Sequence, residues 1–235
     1  MSGARSASKL LDGQFAQRDA ILLLLTFAAG ATDAVTFLGL GQVFAGMMTG
    51  NLLLLGFALG HFDAQRLTQS LLAILGFALG IFAAGRILRG GRAATGWPSE
   101  ATRALIAELL IVTFFAGGWL VVGGQPAGGV ERLLVTAAGV GMGVQTGISR
   151  HLNRSTAPLT FVTGTPFVTG TLAGLIDRLA ERSGLSWVLY AVTLLTLVGG
   201  GAVGALLMVR LPALAPASAW LGVALSAALA LTAHR

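Results

Sequence analysis

The chain has 235 residues, 55% of them hydrophobic and 10% charged, with a formal charge of +6, whereas a soluble domain carries about a quarter charged residues. Its strongly positive mean hydropathy and continuous Leu-, Ala- and Gly-rich runs exclude a soluble protein and point to membrane helices, since barrel strands alternate apolar with polar residues. The positive charge lies between apolar runs with no basic, aromatic-rich stripe, which argues against a nucleic-acid partner, and the absence of cysteine removes disulfides, thiolate metal sites and Cys catalysis.

Residues 1–19 are polar, with Arg5, Lys9 and Arg18, and read as a cytoplasmic tail ahead of a membrane domain at 20–235. The first run, "ILLLLTFAAGA", ends in a signal-peptidase-like Ala29-Gly30-Ala31. The apolar pattern continues through "AVTFLGLGQVF", so it reads as a retained helix. Eight apolar runs follow one another at roughly 20–41, 43–60, 67–88, 104–123, 130–149, 159–176, 186–209 and 214–233.

The second and sixth runs are interrupted by Thr-Gly pairs. In "MMTGNLLLLGFALG" only about nine apolar residues follow Asn51, roughly 14 Å of helix against a hydrocarbon core of about 30 Å. That length predicts a segment that dips in and returns. Loop charge agrees. With a cytoplasmic N-terminus and two runs that do not cross, the Arg86, Arg89, Arg92 and Arg103 connection, the Arg150 and Arg154 connection and Arg235 all lie inside. The 125–129 loop then lies outside, and Arg210 is the exception. The expected fold is an all-α membrane protein of about six spanning helices plus two short broken segments, with both termini cytoplasmic.

"AGATDAVTF" and "GMMTGNLLLLG" are echoed by "GVGMGVQTGIS" and "LTFVTGTPFVTGTLAGL", each pair being followed by two long runs. Asp33 aligns with Thr146. Either Thr163-Gly164 or Thr169-Gly170 is the counterpart of Thr49-Gly50. Three spans per half, an odd number, predict an inverted repeat with halves of about 20–123 and 130–235, an architecture frequent among secondary transporters.

The stretch Gly30-x-x-Asp33-Ala34, with Thr49-Gly50-Asn51 about fifteen residues later, and then "GMGVQTG" and "FVTGTLAGL" resemble the bacterial YoaK-like family, catalogued as domain of unknown function 1275. The resemblance runs over essentially everything after residue 19. It implies a six-span protein of the permease type with no assigned substrate. Where the family has Gln-Asn-Ala, this chain has Gln145-Thr146-Gly147, so no role that needs an amide is carried to position 146.

Asp33 sits near the middle of the first run, where a carboxylate costs about 2.5–3.5 kcal/mol on insertion scales. A proton or cation coupling site and a helix-locking hydrogen-bond acceptor both explain it. In Thr49-Gly50-Asn51, Gly50 is expected to break the backbone, and Thr49 or Asn51 to cap a half-helix whose free N–H groups face the interior. Such an end attracts an anion or carboxylate, and Thr163 or Thr169 would supply its partner. Gln145 is read as a site amide or an interhelical hydrogen bonder. Glu108, five residues into its run, is expected to snorkel at the interface.

Gly56-Phe-Ala-Leu-Gly60, Gly76-Phe-Ala-Leu-Gly80 and the four-spaced Gly139, Gly143 and Gly147 point to close helix packing and to a homodimer. His61, His151 and His234 lie at run ends, no hydrolase motif is present, and no cofactor is expected. The leading expectation is an inner-membrane permease for a small polar or anionic solute, proton-coupled through Asp33. A scaffold or regulator held together by the same polar groups is the alternative. An intramembrane hydrolase is a third reading, which requires Asp33 and Glu108 to share a cavity.

Overall fold

The computed structural model describes residues 2–89, 97–155, 165–180 and 186–233. Within them the chain forms α1 (Ser2–Gly39), α2 (Met48–His61), α3 (Ala64–Ile87), α4 (Ser99–Val121), α5 (Gly128–Ser155), α6 (Thr165–Ala180), α7 (Ser186–Arg210), a 3-10 turn (Pro212–Leu214) and α8 (Ala217–Thr232). Five segments are long and apolar enough to cross a membrane: Gln17–Gly39, Ala64–Ile87, Ser99–Val121, Tyr190–Arg210 and Pro212–Thr232. The sixth long helix, α5, matches them in length but is more polar. It lies at the centre of the bundle, where Gln145, Thr146 and Ser149 are buried against protein.

Glycine sets the packing. A side chain at Gly80 of α3 would strike the Val140 carbonyl of α5, and one at Gly200 of α7 would strike the Phe27 carbonyl of α1. In the same way Gly143 lies against the Phe77 carbonyl, and Gly30 against the Leu197 carbonyl. Phe27 to Val140 and Gly30 to Gly143 are each steps of 113 residues; Gly80 to Gly200 and Phe77 to Leu197 are steps of 120. The α3–α5 and α1–α7 pairs are therefore equivalent, as are α4–α5 and α1–α8, which also pack together. Backbone contact at this distance leaves no room for a Cβ.

Between the halves, α1 and α5 run antiparallel. Arg18 Nη2 donates to the Leu152 carbonyl at 3.0 Å, and Gln145 Nε2 donates to the Leu25 carbonyl at 2.6 Å. Numbers rise on one helix as they fall on the other, so the equivalent first helices of the two halves point in opposite directions.

The Thr-Gly-Asn segment dips and returns. After α1 the chain reverses through Gly41 and Gln42, both left-handed (φ 74° and 61°), and an extended limb climbs back along α1. There Phe44 stacks on Phe37 with centroids 4.8 Å apart. The chain enters α2 at Met48. Two residues separate α2 from α3, where Asp63 caps the helix by accepting from the Arg66 N–H at 3.0 Å. Arg66 Nη2 then donates to Gln42 Oε1 at 3.1 Å, which brings the chain back to the end of α1. Arg66 and, at the start of α5, Arg132 join Arg210 at this end, accompanied by Asp63 and Glu131.

A candidate solute cavity at Asp33

Asp33 projects from α1 toward the limb that precedes α2. The Gly46 N–H donates to Asp33 Oδ1 at 2.7 Å, and the Ala45 N–H is also directed at the carboxylate. Gly46 packs closely: a Cβ there would lie 2.8 Å from Met142 Cε, which would have to shift, and 3.4 Å from Asp33 Oδ2. Two backbone amides thus do what the sequence assigns to the helix terminus. They belong to the limb, one turn ahead of α2.

Asn51 holds that limb in place. Its Oδ1 accepts from the Phe44 N–H at 2.9 Å, and its Nδ2 donates to the Phe44 carbonyl at 2.6 Å. One fully buried amide (0% exposed) thereby satisfies both polar groups of an extended residue that has no sheet or helix neighbour. The expected capping role is corrected. The N-cap of α2 is Met47, with no side-chain cap bond, and Thr49 is exposed. Gly50 does not break the helix; it lies inside α2, where its missing side chain admits the Phe44 ring, 3.0 Å from the position a Cβ would take.

The limb, α1 and α7 enclose a cavity of about 520 Å³. Asp33, Phe37, Phe44 and Met142 line it, together with Leu197 and Val198 of α7. Its walls are almost wholly apolar, and Asp33 is the one ionisable lining residue among those described. Exposed Leu38 and Val198 border it, so the cavity opens sideways between α1 and α7.

Gln145 is not in this cavity. With Thr32 and Glu108 it lines a separate, much smaller void, and Met142 lines both. Glu108 is also not interfacial. It is 1% exposed, inside the bundle, because α4 turns this face toward α5 and α8. Asp33 and Glu108 therefore line different cavities, contrary to what the hydrolase reading requires. Thr163 lies outside the described residues. Thr169 falls on α6, its side chain outside those described. No group of three His, Cys, Asp or Glu converges as a metal site among the described residues.

Phe37, Phe44, Gly46 and Met142 complete the cavity, and sequence reasoning missed them. Gly46, a small residue facing an acid, carries the nearest thing to a signal.

The family described as "Protein of unknown function (DUF1275)" matches residues 21–232. The chain belongs to that family. It is similar to the UPF0700 transmembrane protein YoaK of Bacillus subtilis (strain 168), with 34% identity over 167 residues, 71% of this chain and 69% of that protein. No solved structure matches it. The family match covers α1 from residue 21, the limb and α2, so the residues that build the Asp33 cavity fall within it.

Proposed function

We propose that this member of the family is a small-solute permease of the bacterial inner membrane, with the Asp33 cavity as its solute site and Asp33 as the carboxylate that exchanges a proton for the solute. The observation that carries this reading is an apolar cavity of about 520 Å³ containing one acid. A space of that size suits a small molecule. A carboxylate in apolar surroundings favours positive charge, and the stacked Phe37 and Phe44 rings add aromatic faces. The lining, with one acid and no basic side chain among the described residues, fits a largely apolar organic cation better than the polar or anionic solute that the sequence suggests.

Arginine supports a cytoplasmic location for both termini. Arg18, Arg86, Arg89, Arg103 and Arg150 gather at the end where the spanning part of α1 (Gln17–Gly39) begins, against Arg66, Arg132 and Arg210 at the other.

The test is uptake of radiolabelled methylphenylpyridinium into proteoliposomes with an acidic lumen. Uptake above that of protein-free vesicles is expected, and its loss in Asp33→Asn protein that still elutes as wild type. Absence of both uptake and saturable binding by the wild type overturns the reading. A scaffold role has its own support: the Gly46 and Ala45 amides already occupy Asp33, and Asn51 braces the limb. Failure of Asp33→Asn to fold, together with no uptake by wild type, favours it.

A further inference from the structure

Three polar side chains from three helices meet in the bundle core: Thr32 of α1, Glu108 of α4 and Gln145 of α5. They line a void of about 10 Å³, at the lower limit for a single water. The rest of its wall is apolar, with Val112, Phe115 and Val223 among its residues. Thr32 gives its one hydroxyl proton to the Ala28 carbonyl at 2.8 Å, so lone pairs are what it retains for the void. Gln145 is held by its nitrogen at the Leu25 carbonyl, which leaves Oε1 on the opposite edge of the amide. Glu108 Oε2 is buried and no donor reaches it.

A carboxylate oxygen buried without any donor is costly unless positive charge joins it. No basic side chain lines the void among the described residues. Among the described residues the packed helices bring no counter-charge to the void either. The ionisable groups of α5 (Glu131, Arg132, Arg150 and His151) lie toward its ends, α8 has none, and on α1 the Arg18 guanidinium is directed at the Leu152 carbonyl while Asp33 lies in the other cavity. Met142 lines both spaces, and an unbranched thioether side chain swings between rotamers easily.

We propose that Glu108, Thr32 and Gln145 form an interior site for one small monovalent cation of sodium size, reached from the Asp33 cavity past Met142. The size of the void selects against a hydrated ion and against potassium, which is as large as water. The site requires three oxygens and a void, and it stands whether or not the Asp33 cavity moves a solute.

Thermal unfolding of the purified full chain in detergent, at constant pH and ionic strength, tests it. Sodium chloride replacing choline chloride is expected to raise the midpoint saturably, while potassium chloride does not. Glu108→Gln is expected to abolish the sodium response, and Thr32→Val to weaken it about tenfold in half-saturating sodium, so either variant carries the test if the other fails to purify. A wild type indifferent to sodium, an equal response to potassium, or a sodium response unchanged in the purified variants overturns the site. A midpoint that depends on pH alone also overturns it, because the occupant is then a proton.

Discussion

Asp33 of α1 and Glu108 of α4 are two carboxylates inside one bundle, and the chain treats them in opposite ways. Asp33 receives two backbone amides and borders an open cavity. Glu108 receives no donor at Oε2 and borders a void hardly larger than a water. The difference arises in the backbone. A limb without regular structure carries unpaired N–H groups that must find acceptors, and it happens to pass α1. Around Glu108 every neighbour is a helix whose amides are already used within it.

The contrast predicts opposite consequences for the same substitution. Asp33→Leu strands the Gly46 and Ala45 amides, and an unsatisfied buried group costs about 1–3 kcal/mol, so the unfolding midpoint in detergent should fall sharply. Asn51→Ala should cost somewhat less, about 1–3 kcal/mol in total, by freeing both polar groups of Phe44. Because it loosens the limb, it should also weaken methylphenylpyridinium binding without touching the cavity wall. Glu108→Leu in sodium-free buffer should leave the midpoint unchanged or raise it slightly, since an apolar residue of similar volume replaces an unpaired carboxylate. A large loss there would erase the distinction between the two acids. Thr49→Ala should change neither stability nor binding, because that hydroxyl caps nothing.

Two identical pentads show where legibility stops. Gly76-Phe-Ala-Leu-Gly80 lies at the closest approach of α3 to α5, where any added side chain strikes the Thr136 or Val140 carbonyl. Gly56-Phe-Ala-Leu-Gly60 has nothing within 4 Å of either terminal glycine, and Leu52, Leu53, Phe57 and Leu59 around it are exposed. Five letters fix helix propensity and face, but the neighbour that gives a glycine its purpose comes from elsewhere in the chain. Asn51 follows the same logic. Its position in an apolar run announces that it has a partner, and the partner is the backbone of Phe44, seven positions back on the limb that follows the reversal at Gly41 and Gln42.

The sequence by itself determined the all-helical membrane class, pointed to two related halves and to a Thr-Gly-Asn segment that returns, and singled out Asp33 as a candidate. Each of these follows from local quantities: run length against bilayer thickness, the placement of arginines, a motif that recurs, a charge amid hydrocarbon. Tertiary structure decided that Asn51 braces Phe44, that Gly50 makes room for a ring, that Glu108 is enclosed and that Gln145 serves a different cavity from Asp33. Those outcomes depend on which helix face meets which neighbour, and in a chain that is apolar nearly all round, periodicity carries almost no record of that choice.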